Sequence, residues 1–495
     1  MKLTKLYTIS IILALGVVSS CNEDEFLNKL PIAQSVEGDF PNTEKDAILA
    51  TNGVYNTLRI WNINEGGFPI LNIVSDDQLK GTSPSDGGGI APYDDFTYTQ
   101  TEGSMDRWWR TLYQGIRRAN LVISALPTID MDEELKNRLE GESRFLRAYF
   151  YSILVRAYGD VVKVTEVNAS FDLLRSPKEE IYSEIIFPDL MFAAENLPVR
   201  SDYATEDAGR ITEGAVKALL ARLYLFRGEF GMAETYAMEV INSMEYDLEA
   251  DFADAHSVVG EYGVEAVFEI GAIASDFGNG GHQYGNTQAV RGTPNKGWGF
   301  GRPAYSLITD WDMSDPRMDQ SIIFLGETID GITISGDGQT PDTTYENSVI
   351  VEIEVYNQKV WTPGTNTEES FGHNKRIIRF SDVLLMAAEA LNENDNPTEA
   401  LVHLNRVRQR ARNGNPGILP DITTTDKTQL RQVIYDERRF ELAFEGLRFW
   451  DLVRTGRAST VLGPLGFQSN KNELFPIPQA EIDISEGRIT QNTGY

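Results

Sequence analysis

The chain has 495 residues, enough for a sizeable buried core and for two or three domains. Its 74 acidic and 44 basic residues give a formal charge of −30, so neither a nucleic-acid interface nor a basic membrane-binding patch is expected. One cysteine excludes a disulfide framework and a cysteine-based zinc site, and the four histidines share no metal-ligand spacing, so we expect no metal and no cofactor.

The first twenty residues have the pattern of a secretory signal. Two lysines precede a mostly apolar stretch, residues 6–18, which is short for a membrane span. Two serines and the only cysteine, Cys21, follow, and Val18-Ser-Ser-Cys21 resembles a bacterial lipobox with valine in place of the favoured leucine. The sequence therefore predicts cleavage after residue 20 and lipid on Cys21, the alternative being an ordinary signal peptide. The acidic residues 22–25 are either a solvated tether or a surface-export signal.

Most of the remaining chain predicts helices with irregular connections. Apolar residues recur at helical spacing, and glycines interrupt the pattern. The helices are expected at 105–126, 142–158, 213–227, 231–243, 383–392, 397–412 and 427–446.

Two helix pairs resemble each other. The pair over 213–243 has roughly the 34-residue size of a tetratricopeptide unit. A second copy follows at a constant offset, with small residues placed where antiparallel helices must pack closely. The matched residues are Ala221, Leu223, Ala233 and Val240 in the first copy and Ala388, Ala390, Ala400 and Val407 in the second.

Residues 245–375 have a different composition. They are rich in Gly, Thr, Asp and β-branched residues, and 264–270 and 349–356 predict short strands. A loop-rich insert between the two helical units is the simplest description. Two glycine-rich loops, 80–98 and 277–301, are candidates for binding.

Aromatic residues in these loops are the best candidates for contacting a ligand. Sugar rings stack on aromatic faces, while their hydroxyls need polar partners. Trp298 lies between two glycines, which leaves its ring without bulky sequence neighbours. The alternative is that each aromatic anchors its loop to the scaffold. The candidate aromatics are Trp298, Tyr284, Tyr93, Phe96 and Tyr98, with Trp61, Phe68 and Trp361 next. The candidate polar partners are Asp76, Asp77, Gln78, Asn286 and Arg291.

Three glutamates, Glu437, Glu441 and Glu445, lie four residues apart and suggest the paired carboxylates of a glycoside hydrolase. Interleaved arginines favour a structural ion-pair network instead, because paired carboxylates stay ionised and cannot act as general acids. No G-x-S-x-G, Walker or H-E-x-x-H motif is present. We therefore predict that the chain is not an enzyme.

A series of blocks gives the chain a specific resemblance to the SusD/RagB family of outer-membrane nutrient-binding lipoproteins. The strongest block, residues 437–452, reads ERRFELAFEGLRFWDL. The others are 109–120 (W-x3-Y-x2-I-x3-N), 142–148 (ESRFLRA), 218–225 (ALLARLYL), 379–390 (RFSDVLLMAAEA), 475–478 (FPIP) and 491–495 (QNTGY). The resemblance implies a mostly α, tetratricopeptide-like scaffold that carries glycan-binding loops.

The resemblance also implies an organisation and a role. Residues 1–20 are the signal peptide, 21–244 the N-terminal helical region and 245–495 the C-terminal region. The C-terminal region divides into the insert 245–375, a helical part 376–455 and a tail 456–495. The implied protein is lipid-anchored at the outer membrane and faces the cell exterior. It captures an oligosaccharide and passes it to a SusC-like TonB-dependent transporter. Peptide capture, as in the RagB branch, is the alternative, and a glycoside hydrolase is the less favoured one.

Overall fold

The computed structural model describes residues 40–63, 70–83, 85–170, 172–273, 283–346, 348–363 and 372–495. The chain is mostly helical, with 49% helix and 10% strand, as predicted. Among the described residues the long helices are α1 (Glu44–Thr57), α2 (Gly103–Ala125), α3 (Glu133–Tyr158), α4 (Phe187–Asn196), α5 (Glu213–Phe226), α6 (Phe230–Asn242), α7 (Phe380–Glu393), α8 (Pro397–Ala411) and α9 (Lys427–Glu441).

The long helices form one continuous stack. Helices α1 to α6 each pack against the next helix in the chain, and α6 packs against α7, which contacts both α8 and α9. Polar side chains begin several of them: Thr43 and Asp46 form a capping box on α1, and Asp132, Thr212 and Asp426 each accept a backbone N–H at the start of α3, α5 and α9. A single hydrophobic core runs through the stack.

The two predicted helix pairs are confirmed as α5–α6 and α7–α8. In both pairs the alanines predicted at the close contacts, Ala221 with Ala233 and Ala388 with Ala400, are fully buried. Because α6 packs on α7, the two pairs stack directly on one another. Small residues at these crossings let the helix backbones approach closely, as a stack of helical repeats requires.

Short helices connect and extend the stack. They span Ile70–Ile73, Ala91–Asp94, Lys178–Ile181, Tyr284–Gln288, Tyr305–Asp310, Pro316–Asp319, Arg448–Arg454, Ala458–Leu462 and Gln479–Ile484.

The strands form two-stranded antiparallel sheets, most of them inside the insert. Strand β4 (Ala266–Ile270) pairs with β12 (Lys375–Arg379) and so joins the two ends of the insert beside the helical stack. The other pairs are β1 (Gln78–Gly81) with β5 (Phe300–Pro303), β2 (Val161–Val162) with β3 (Arg175–Ser176), β6 (Ile322–Phe324) with β11 (Val355–Asn357), β7 (Thr328–Ile329) with β8 (Ile332–Thr333), and β9 (Thr343–Glu346) with β10 (Val349–Ile353).

Two predicted elements continue across a turn that ends them in the structure. The helix expected over 427–446 ends at Glu441, because Phe444 and Gly446 have φ angles of +68° and +74°, which an α-helix cannot contain. The strand expected over 349–356 is two strands, β10 and β11, that pair with different partners. Periodicity detects a turn of this kind poorly, since apolar residues continue across it.

The three glutamates of the strongest sequence block lie inside a buried ion-pair network. Glu437 contacts Arg317 at 2.6 Å, Glu441 contacts Arg317 and Arg379 at 3.0 Å, and Glu445 contacts Lys359 at 2.8 Å. Arg408 and Arg410 of α8 and Glu265 complete the network. The partners come from the insert, from β12 and from α8, so the network joins the insert to the stack. The geometry therefore supports a structural role for these glutamates rather than a catalytic one.

Candidate functional site

The two glycine-rich loops meet through the β1–β5 strand pair. Gly81 at the end of β1 lies opposite Phe300 at the start of β5. A Cβ on Gly81 would lie 2.5 Å from the carbonyl oxygen of Gly299, and one on Gly87 would lie 2.3 Å from the Phe300 ring. Glycine is required at both positions because the loops approach so closely. The pairing brings together residues that are about two hundred positions apart in the sequence.

Trp298 lies at this junction, with its side chain partly exposed. Its backbone N–H donates to the carbonyl of Asn286 at 2.8 Å. The flanking glycines serve the backbone: a Cβ on Gly297 would lie 2.0 Å from the Asn286 carbonyl oxygen, and Gly299 has a φ of +72°. The sequence argument that glycines leave the ring unshielded was therefore incomplete. Their physical role is to fix the position from which the indole projects.

A second tryptophan packs against the first. Trp61 follows α1 in a series of tight turns, and its ring centroid lies 5.3 Å from that of Trp298 with a 46° angle between the planes. Both side chains are partly exposed. The two rings, which we call the tryptophan pair, are thus anchored on two segments far apart in the sequence. One is held by α1 and the other by the loop before β5.

A polar cluster lies against Gly299, the residue that follows Trp298. A Cβ on Gly299, the residue after Trp298, would lie 3.1 Å from the Cβ of Arg291. The Arg291 guanidinium binds the Asp86 carboxylate at 2.6 Å and the Thr82 hydroxyl, and its Nε lies 3.5 Å from Asp337. The Arg291 and Asp86 side chains retain 26% and 46% exposure, so both can still bond to a ligand. Charged fork donors and carboxylate acceptors are the partners that sugar hydroxyls use.

Four of the predicted aromatics are enclosed by the protein. Tyr93 and Phe96 are buried, with the Tyr93 ring stacked 5.1 Å from that of Tyr98. Tyr284 is also buried, and the Lys375 ammonium lies 4.9 Å from its ring centroid. These rings anchor their loops, which is the alternative that the sequence left open. The structure offers no face of them to a sugar.

The predicted polar partners Asp76 and Asp77 are committed to arginines of the 437–452 block. Asp76 binds Arg448 at 2.7 Å and Arg439 at 2.8 Å, and Asp77 binds Arg439 at 2.8 Å. Burial raises the pKa of Asp77, while for Asp76 the two arginines outweigh burial and lower the pKa. Both carboxylates hold the start of β1 against the scaffold, so they position the site without reaching it.

Asn286 and Gln78 are fully buried. Asn286 acts through its backbone, as the acceptor for Trp298, and the Gln78 amide donates to the carbonyl of Gly301 in β5. Of the polar residues expected at the site, Arg291 alone remains partly exposed beside Trp298.

The remaining predicted residues do not contribute to this junction. Trp361 is 9% exposed, its ring is covered by the Lys296 ammonium at 4.7 Å, and its Nε1 donates to Asp330. Phe68 and Cys21 lie outside the described residues.

Sequence reasoning placed Trp61 only among the secondary aromatics and did not name Thr82 or Asp86. The position of Asp86 could have identified it as a candidate, since it lies in the same glycine-rich loop as the predicted aromatics. No feature of the sequence indicates the role of Trp61, because its partner is 237 positions away in the chain and the contact depends on tertiary structure.

Within the described ranges, no group of acidic, histidine or cysteine side chains could hold a metal ion, and no helix is long and apolar enough to cross a membrane.

Residues 264–495 match a family model described as "SusD family", and residues 91–225 match one described as "Starch-binding associating with outer membrane". The chain belongs to the SusD family. This confirms the resemblance drawn from the sequence blocks. The family is one of carbohydrate-binding, non-catalytic proteins, which confirms the prediction that the chain is not an enzyme. Association with the outer membrane is part of the family description.

Relatives of known sequence or structure agree with this placement. The SusD-like protein P2 of Formosa agariphila is 29% identical, over 99% of this chain and 100% of its own length. A solved structure titled "Laminarin binding SusD-like protein" is 29% identical with a TM-score of 0.75, covering 92% of this chain and 100% of that one. Surface glycan-binding protein A from Bacteroides thetaiotaomicron, solved with laminarihexaose, is 23% identical with a TM-score of 0.73, covering 91% and 100%. The last likeness shows a shared fold.

Proposed function

We propose that this SusD-family chain captures an oligosaccharide at the tryptophan pair, with the Arg291–Asp86 pair bonding to its hydroxyls. The observation that carries the proposal is the contact between the partly exposed rings of Trp61 and Trp298, with the partly exposed Arg291–Asp86 pair held against Gly299, the residue after Trp298.

The chemistry of the junction suits a neutral sugar. The tilted rings present apolar surface that a pyranose C–H face can cover, and aromatic side chains supply large contact area at low entropic cost. The arginine and aspartate already bind each other, so they are preorganised and lose little freedom when a ligand arrives. Binding requires only these aromatic and polar contacts, whereas hydrolysis would also require an unpaired acid beside a nucleophile.

A direct test measures binding and cleavage together. The mature chain should bind laminarin oligosaccharides, the ligand class named for a relative at 29% identity, and should release no reducing ends on prolonged incubation. A glycan array extends the test to other oligosaccharides, and a peptide library tests the RagB-like alternative. Binding restricted to peptides would replace the glycan assignment, and new reducing ends would revive the hydrolase.

We further propose that Cys21 carries the lipid that anchors the chain to the outer membrane, facing outward. It is the sole cysteine and follows two small residues at the end of the signal-like stretch. One acyl chain gives only marginal membrane binding, so stable anchoring needs several. Cys21→Ala should leave the chain unprocessed or release it from the membrane fraction, as followed by fractionation and fatty-acid labelling. A variant that stays lipid-labelled would contradict the assignment.

Delivery of the bound sugar to a SusC-like TonB-dependent transporter is the final part of the proposal. It is supported by membership of the family. A binding protein anchored at the membrane does not itself transport its ligand, so a transporter must take the sugar across. Extraction in mild detergent followed by affinity capture of this chain should recover such a transporter. Recovery of this chain alone, under conditions that preserve other envelope complexes, would argue against the partnership.

A further inference from the structure

A second cavity lies in the helical stack and shares no residue with the tryptophan pair. Its volume is about 540 Å³, within the range of small-molecule sites. It lies between the C-terminal ends of α3 and α5, the Lys178–Ile181 helix and the Arg448–Arg454 helix. Its lining combines aromatic rings with cations: Tyr182, Phe226 and Trp450 with Arg156, Lys178 and Arg227.

Arg156 is the unusual member of this lining. Its guanidinium carbon lies 4.7 Å from the centroid of the Trp450 ring and 5.5 Å from that of Phe226. Among the described residues, none gives Arg156 an ion pair, and its Nε has no hydrogen-bond partner. Burial and the nearby Arg222 lower the pKa of Arg156 to about 10, and Asp451, which is paired with other arginines, offsets this only in part.

The neighbouring arginines differ in this respect. Arg227 binds Glu179 at 2.8 Å and Glu229 at 2.6 Å, and Arg454 binds Glu389 at 2.5 Å and Asp451 at 2.7 Å. The one other lining carboxylate, Glu473, accepts a backbone N–H from Asn470. In a chain with a net charge of −30, a guanidinium left without a carboxylate at a cavity is unexpected on electrostatic grounds.

Further features of the cavity favour an anion over a neutral ligand. The Trp450 indole Nε1, in a side chain only 3% exposed, lacks a hydrogen-bond acceptor among the described residues. Lys178, an exposed residue of the cavity lining, likewise forms no ion pair with any described residue. One face of the Trp450 ring and one face of the Tyr182 ring are covered by the guanidiniums of Arg156 and Arg227, the latter at 4.5 Å, so a sugar cannot stack on these two faces.

We propose that this cavity is a second ligand site and that it takes a small organic molecule through a carboxylate group bound by Arg156. The carboxylate accepts the fork of guanidinium donors, and the apolar side chains of Leu223, Val453 and Leu474 surround the body of the ligand. A uronic-acid sugar and a free metabolic carboxylate share this chemistry.

Calorimetry on the mature chain with D-glucuronate, acetate and D-glucose tests the site. Glucuronate should bind saturably and glucose should not. Saturation by glucuronate alone identifies a uronic acid, and comparable saturation by acetate identifies a free carboxylate. Arg156→Gln should weaken glucuronate binding at least tenfold, whereas Arg488→Gln, which removes an exposed arginine charge, should leave it unchanged.

Two further variants separate this site from folding and from the glycan site. Lys178→Gln changes an exposed side chain, so it should fold normally and bind glucuronate several-fold more weakly. Trp298→Ala should leave glucuronate binding unchanged, whatever it does to laminarin binding. The proposal is overturned if neither carboxylate saturates the wild-type chain, if glucose binds as tightly as glucuronate, or if Arg156→Gln and Lys178→Gln both bind as the wild type does.

Discussion

Replacing Trp298 by alanine is expected to weaken laminarin-oligosaccharide binding by about thirtyfold, or about 2 kcal/mol. The ring is partly exposed, and its backbone is fixed by the hydrogen bond to Asn286 and by the two flanking glycines, one of which approaches Asn286 closely. Because the ring is already held in place, little conformational entropy is lost when the ligand binds. Removing the ring therefore loses contact area without a compensating gain in entropy. Isothermal titration of the folded variant measures the change.

The matched variants are Trp61→Ala and Tyr345→Ala. Trp61→Ala should also weaken binding, because it removes the ring against which Trp298 packs at 5.3 Å. In the double variant the loss should be smaller than the sum of the two single losses, since each ring depends on the other. Tyr345 on β9 is 62% exposed, so Tyr345→Ala removes a surface ring of similar size and should have no effect. Full affinity in the Trp61/Trp298 double variant would place the site elsewhere.

The scaffold could be predicted from the sequence because its signals are local and repeated. Helices such as α5, α6, α7 and α8 show their apolar periodicity directly, and the paired alanines identify where they cross. The ends of the helices are predicted less accurately. Helix α3 begins at Glu133, nine residues before the predicted start, and α9 ends at Glu441, where the backbone turns. A helix end depends on φ and capping rather than on hydrophobic pattern.

The site could be predicted only in part. Glycine-rich loops indicated the right segments and Trp298 among them, but composition does not say which way a ring points. Tyr93 lies in a short helix and its ring packs inward on Tyr98, whereas Trp298, two residues before β5 begins, remains partly exposed. Asp76 and Asp77 looked available because their arginines, Arg439 and Arg448, are more than 350 positions away. Long-range ion pairs of this kind leave no signal in one sequence.

The buried network around Glu441 gives the largest expected effect on stability. Glu441 is fully buried and contacts Arg317, Arg379 and Arg410. Glu441→Gln keeps the shape but removes the charge, and the loss of one partner from a buried ion pair typically costs about 3–5 kcal/mol. Each arginine retains another carboxylate, so the lower end of that range, about 3 kcal/mol, is expected. The urea midpoint of unfolding measures it.

The control is the same substitution in an exposed ion pair. Glu133, whose side chain is 76% exposed, contacts Lys136 at 2.7 Å, and Glu133→Gln should cost less than about 1 kcal/mol. Glu441→Gln should leave the laminarin affinity of the folded fraction unchanged, because the network supports the scaffold rather than the tryptophan pair. Equal urea midpoints for the two variants would show that the network contributes little to stability.

The cost of Glu441→Gln should also depend on pH in one direction. Burial alone would raise the pKa of Glu441, but Arg410, Arg379 and Arg317 outweigh it and hold the pKa well below its ordinary value. A carboxylate with a depressed folded-state pKa stabilises the fold above its ordinary pKa of about 4.3, and this contribution is lost as the pH falls toward the depressed value. The difference in unfolding free energy between wild type and Glu441→Gln should therefore be largest near neutral pH and shrink below about pH 4. A difference that grew on acidification would mean that Glu441 is protonated in the folded protein.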